Sequence, residues 1–279
     1  MWFFFALLSG TFYTAQGLIT RHILRGNKDA WAFSFYFSAV GALISLPFML
    51  ANVKIASSFV PWLLMLFVGC LIVLQNILNF KSTNTLEPSV QGSITKFRLA
   101  WVFLLGVIVL HEQFSWLKLI GMIVTVLAGI IILNKFRRPS SLKGIVFTFS
   151  ATFAYAIVII LYKYLFSSFN SASLTFFIFF IPAIMNFILM PRSYTRIKTM
   201  FLEQRLPVFL ACGLGGLANL AMNQALAIGE ASRALVIIEA FLVITLIGEH
   251  VFLKEKTHLM TKIIAVGLAT LGAILIRIA

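Results

Sequence analysis

Apolar runs of about 20 residues follow one another along almost the whole chain, and very few folds can accommodate so many of them. Cutting wherever charges, proline or polar clusters interrupt leaves segments at approximately 2–20, 30–51, 59–80, 88–110, 114–134, 143–166, 171–190, 206–228, 231–253 and 258–278. Each is long enough to cross a bilayer as a helix, because about 20 residues rising 1.5 Å apiece match a hydrocarbon core of about 30 Å. None shows the short apolar/polar alternation of a membrane barrel strand. In 279 residues these runs leave short connections and no room for an extramembranous domain. The expected fold is therefore an all-α integral membrane protein with ten transmembrane helices. Composition agrees: 61% of residues are hydrophobic and 11% charged, against roughly 45–50% and 25% in soluble domains. A soluble enzyme, a secreted domain and a DNA-binding protein are excluded. Segment 2–20 lacks a basic leader and a small-residue cleavage site, and Thr11, Tyr13, Thr14 and Gln16 interrupt it, so it reads as the first helix rather than a cleaved signal peptide. Cys70 and Cys212 sit inside apolar runs, with neither disulfide nor metal spacing.

The formal net charge of +14 would elsewhere suggest nucleic acid. Here the basic residues lie between apolar runs, where they set orientation and meet anionic lipid headgroups. The odd-numbered connections hold most of them: Arg21, Arg25, Lys28, Lys81, the 135–143 loop, Arg192, Arg196, Lys198, Arg205, Lys254 and Lys256. The even connections and termini hold few, chiefly Lys54, Lys118, Lys163, Arg233 and Arg277. By the positive-inside rule both termini lie outside the cytoplasm.

The most polar stretch near the middle, Lys135 to Lys143, divides the chain into similar halves. An offset of 143 residues pairs Asn76 with Asn219, Glu87 with Glu230, Ser89 with Ser232, Glu112 with Glu255 and Gly129 with Gly272, without a gap. Ser9-Gly10-Thr11-Phe12 likewise resembles Ser150-Ala151-Thr152-Phe153. Apolar coincidences are cheap in such a chain, so the polar and glycine matches carry the weight. The division is a first five-helix repeat at 1–134, a basic connecting loop at 135–142 and a second five-helix repeat at 143–279. Five is odd, so the second repeat enters the membrane upside down relative to the first. That is the inverted symmetry of secondary transporters.

Leu110-His111-Glu112 and Leu253-Lys254-Glu255 each end a helix, and each is followed by a span closing on Gly129 or Gly272. With the two five-helix halves, this pattern resembles the EamA-type transporters of the drug/metabolite transporter superfamily. The resemblance implies a secondary transporter of a bacterial inner membrane with cytoplasmic termini, opposite to the orientation read from the loop charges. It leaves the substrate open among amino acids, sugars, nucleotide derivatives, amines and drugs. The chain departs from the family at Gly229-Glu230-Ala231, where many members have proline at the start of the ninth helix, as Pro88 stands at the start of the fourth.

Charged groups inside a span are costly and mark protein-facing or water-facing positions. Those here are Lys96 and Arg98 in the fourth span and Glu239, Glu249 and His250 in the ninth, with Lys262 near the start of the tenth. The 143-residue offset sets Lys96 opposite Glu239. They form either a structural ion pair or a pair that opens to receive complementary charges. Glu87, Gln91, Thr95 and Arg98 make one helical stripe, which should line a cavity with Arg98 as the cation that meets the ligand. Asn76 in the third span and Asn219 and Asn223 in the eighth, with Gln75, Asn79 and Gln224, supply amides that serve as interhelical glue or as cavity wall. Gln16 and Tyr155, with Tyr13 and Tyr162, could add to the walls. Glu112 and Glu255 are expected to bond the amides at the start of the following helix.

The leading function is secondary transport, as exporter or exchanger, of a small zwitterionic, amino-acid-like solute by alternating access; organic anions or nucleotide-type metabolites are the alternative. A membrane-embedded enzyme would need clustered catalytic acids, and Asp29 is the only aspartate. A non-transporting scaffold would tolerate loss of Arg98 and Glu239. No cofactor and no nucleic acid are expected. Glu239, Glu249 or His250 could couple transport to protons. The partners are the solute and the bilayer, and the oligomeric state is open between a monomer and an oligomer.

Overall fold

The computed structural model describes residues 1–24, 29–86, 91, 94–95, 97–135, 141–238 and, beyond these, 264, 267–268, 271–272, 274–275 and 278. It is all helical over its long elements: α1 (Trp2–Leu24), α2 (Ala30–Ala51), α3 (Phe59–Thr85), α4 (Phe97–Val109), α5 (Trp116–Lys135), α6 (Leu142–Leu165), α7 (Ser171–Leu189) and α8 (Ser193–Ile228). Residues 231–238 and the described positions from 264 onward are helical too. Among the described residues six helices, α1, α2, α3, α6, α7 and α8, are long and apolar enough to cross a membrane. α4 and residues 116–128 of α5 are shorter apolar helices.

Helix ends follow the polar residues that satisfy them. Asp29 caps α2, its carboxylate accepting the Trp31 and Ala32 amides at 3.0 and 3.1 Å. Asn170 caps α7 by accepting the Ser173 amide at 2.8 Å. α3 runs past the expected end at residue 80. The hydroxyls of Ser82 and Thr83 donate to the Asn79 carbonyl at 2.8 and 3.0 Å, so a polar tail stays helical. α8 begins before the expected 206. Its 36 residues would extend about 54 Å if straight, well beyond a bilayer core, and the backbone breaks at Gln204 (φ −143°, ψ 38°), just ahead of Pro207.

Consecutive helices alternate in direction, which gives the bundle two faces. The near face gathers Met1 with residues 52–58, 110–115, 166–170 and 229–230, where the Asn170 amide donates to the Asn52 carbonyl at 2.5 Å and the Tyr164 hydroxyl donates to the Val109 carbonyl at 3.1 Å. The far face holds the ends of α1 and α3 and the starts of α2 and α6. There Arg196 donates to both Asp29 oxygens at 2.5 Å and stacks over Trp31 at 5.6 Å. Burial raises the Asp29 pKa, but the Arg196 hydrogen bond, the Ala32 and Trp31 amides and the Arg196 charge together hold it below its ordinary value.

Helices of the two halves interleave: α1 packs mainly on α8, α2 on α7 and α3 on α6. Small residues let the backbones meet. A Cβ added at Gly216 on α8 would lie 3.2 Å from Gly41 Cα on α2, and one at Gly215 would strike the Phe37 ring at 2.3 Å. Gly213, the third glycine of that run, meets nothing within 4 Å. Phe33, Phe37, Phe80 and Phe179 join edge to face at 4.9–6.0 Å to form the aromatic centre beside α3.

Candidate functional site

A cavity of about 230 Å³ opens inside this bundle. α1 lines it with Tyr13, Gln16, Thr20 and Arg21, positions that share one face at helical spacing. α3 adds Gln75, Asn76, Asn79 and Thr83, again one side of a helix. Gln91, Thr95 and Arg98 enter from the fourth segment, Tyr155 and Tyr162 from α6, and Asn219 and Met222 from α8. Phe37, Phe80 and Phe179 complete the wall.

The guanidinium of Arg98 lies over the Tyr155 ring, 4.8 Å from its centroid. The Tyr155 hydroxyl donates to the Met222 sulfur at 3.2 Å, and that of Tyr13 does so at 3.8 Å. The platform under the cation is thereby held from two helices. Gln91 anchors its own segment to α3, its amide donating to Ser82 Oγ at 2.7 Å, Thr83 Oγ1 at 3.0 Å and the Asn79 carbonyl at 3.1 Å. Asn219 turns its amide nitrogen back to the Gly215 carbonyl at 2.9 Å. Asn76 is 6% exposed, and its Nδ2 is buried with no hydrogen-bond partner among the described residues.

Arg21 and Arg98 are the charged residues among those lining the cavity, and no carboxylate stands with them among the described residues. Among the described residues no group of three His, Cys, Asp or Glu could hold a metal ion.

Eleven residues singled out from the sequence meet in this cavity: Tyr13, Gln16, Gln75, Asn76, Asn79, Gln91, Thr95, Arg98, Tyr155, Tyr162 and Asn219. Asn223 does not line it. That side chain is fully buried and donates to Thr175 Oγ1 at 2.9 Å, joining α8 to α7, because one further turn rotates it toward α7. Gln224 similarly accepts from the Ser171 hydroxyl. Glu87, Lys96, Glu239, Glu249, His250, Glu255 and Lys262 lie outside the described residues. Glu112 departs from expectation: its carboxylate accepts the Ala231 amide at 2.8 Å and the Ser232 hydroxyl at 2.6 Å, so it caps a helix of the other half rather than α5. Thr20, Arg21 and Thr83 are cavity residues that sequence reasoning missed. For α1 the signal was present, since 13, 16, 17, 20 and 21 continue one helical face past the point where the apolar run stops.

A bundle of apolar helices around a polar, cationic hollow is the build of a membrane transporter. The sequence model of the EamA-like transporter family matches residues 1–134 and 142–278, and the chain belongs to that family. It is a multi-pass integral membrane protein of the drug/metabolite transporter superfamily, whose members are transporters rather than enzymes. A crystal structure described only as "Crystal structure of protein" shares the fold, with a TM-score of 0.77 at 13% identity over 99% of this chain and 98% of that one. No curated protein matches the chain.

Proposed function

We propose that the chain is a secondary transporter, exporter or exchanger, that moves a small polar solute by alternating access, with Arg98 receiving the solute's anionic group. The observation that carries this reading is Arg98 seated on Tyr155 inside a polar cavity that Gln16, Asn76, Gln91, Thr95 and Asn219 also line. The amides of Asn76 and Asn219 add uncharged hydrogen-bonding capacity. An amino-acid-like zwitterion is the leading solute proposed, with an organic anion as the alternative. An amino-acid-like zwitterion adds the need for a carboxylate, and Glu239 is the residue proposed to supply it, with Lys96 as its partner in the 143-residue register.

Ten helices in two inverted five-helix repeats, 1–134 and 143–279 joined by the 135–142 loop, are the architecture proposed to support alternation. The family model matching each half supports it, as does the packing of α1 on α8 and α3 on α6, which are equivalent pairs under such symmetry. A bacterial inner membrane is the proposed location. Proton coupling is proposed through Glu239, Glu249 or His250, because a carboxylate or an imidazole can exchange protons.

The deciding experiment is uptake into proteoliposomes across amino acids, organic acids and amines, with and without a proton gradient. Organic or amino acids should be taken up and amines should not, and Arg98→Ala should abolish uptake without reducing expression or thermal stability. Undiminished transport by Arg98→Ala would overturn the assignment.

A further inference from the structure

The cavity reaches Thr20, Arg21 and Thr83, within one turn of the far-face ends of α1 and α3. Toward the near face, Leu165, Phe169, Leu174 and Leu226, at or beside the near-face ends of α6, α7 and α8, are each at most 1% exposed. Beside these apolar residues lies a polar layer, in which the bonds of Glu112 to Ala231 and Ser232 and of Lys118 to Glu230 join the two halves of the chain.

Glu112 is central to it. α4 ends with His111 in the left-handed region at φ 53°, which lets the Glu112 amide close on the Gly106 carbonyl at 3.0 Å. The turn aims the Glu112 carboxylate at the first amides of the helix that starts at Ala231, where it binds the Ala231 N–H and the Ser232 hydroxyl. Lys118, although 2% exposed, donates to Glu230 at 2.5 Å and to the Gln113 carbonyl at 2.9 Å, while Arg233 reaches the same Glu230 oxygen at 3.0 Å. Lys163 donates to the carbonyls of Leu226 and Gly229, at the end of α8.

We propose that this layer is a latch that holds the near face shut, with the Glu112 bonds to Ala231 and Ser232 as its key. The inference rests on the cavity being the solute path. A solute can pass to the near face only after Glu112 releases the helix start of the other half and Lys118 releases Glu230. Water replaces these partners once the layer parts, so the bonds bias an equilibrium between shut and open forms rather than forbidding one. Lys118 and Glu230 set which residues separate; Glu112 couples their separation to movement of the helix that begins at Ala231.

The labelling part of the test requires no known substrate. In a background with Cys70 and Cys212 replaced by alanine, Val158→Cys places a thiol in the cavity lining, and a membrane-impermeant maleimide is applied to each face of sided vesicles. Glu112→Leu with Ser232→Ala should raise labelling from the near face by about tenfold, the equivalent of about 1.4 kcal/mol. Glu112→Cys with Ser232→Cys, joined by a short reducible cross-linker, should block near-face labelling, leave far-face labelling intact and recover on reduction. Near-face labelling that persists through the cross-link would overturn the latch, and this arm decides the matter if the weakened variant folds poorly. Uptake that continues through the cross-link also overturns it. Latch-controlled labelling without any Arg98-dependent uptake would instead sink the proposed function and leave the latch standing.

Discussion

Gly267 and Gly272, both at helical positions, separate backbone contact from helix propensity. A Cβ at Gly272 would stand 2.2 Å from Thr125 Oγ1 and 2.6 Å from the Gly121 carbonyl oxygen on α5, far short of the 3.4 Å where ordinary contact begins. Thr125 is itself committed to that carbonyl, its hydroxyl donating at 2.8 Å. Rotating the threonine leaves the backbone oxygen in place, so Gly272→Ala must push the two helices apart by the better part of an ångström. Overpacking of this kind costs about 1–3 kcal/mol, and a backbone obstacle puts this case at the upper end. Alanine in place of glycine returns about 0.5–1 kcal/mol through helix propensity. Gly267, by contrast, meets nothing within 4 Å, so Gly267→Ala keeps the propensity gain alone. Gly272→Ala should be less stable than Gly267→Ala by roughly 2–3 kcal/mol, measured by reversible unfolding in mixed micelles. Thr125→Ala should rescue it only in part, because the Gly121 oxygen remains. Equal stability of the two alanine variants, or complete rescue by Thr125→Ala, would refute the close crossing.

Two further outcomes follow from named contacts. Tyr155→Phe keeps the ring beneath Arg98 and should transport nearly as the parent does, whereas Tyr155→Leu removes the platform and should weaken uptake by up to about tenfold, the scale of a partly desolvated cation–π contact; equal loss in both would assign the role to the hydroxyl instead. The Asp29–Arg196 pair gives a pH signature: a depressed folded pKa contributes stability that is complete above the ordinary value of 3.8 and lost as pH falls through the folded value. The stability difference between the parent and Asp29→Asn should therefore hold from neutrality down to that ordinary value and shrink only below it, and a difference that fades between pH 7 and 5 would contradict this.

What the sequence made legible is what depends on periodicity within one segment. The stripe Gln91, Thr95, Arg98 reached the cavity because spacing along one helix fixes a shared face whatever the helix packs against. The stripe on α1 was cut short at residue 20, because Arg21 was counted as a loop charge. Inside a bundle the polar end of a helix extends as a wall, and a hydropathy cut cannot distinguish that from a loop. Asn223 misled for the opposite reason: spacing put it with Asn219, but the α7 surface carrying Thr175 claimed it. Glu112 shows where local reading ends. Its position after α4 made a capping role evident, since a carboxylate beside free helix amides is favoured wherever it occurs. Which helix it caps depends on how the halves interlock, and that is written in no single segment. The register does hold one clue: Ala231 stands where the first half has Pro88. Proline has no N–H to give, whereas alanine at 231 can offer its amide to a carboxylate from the other half, which is the bond Glu112 makes.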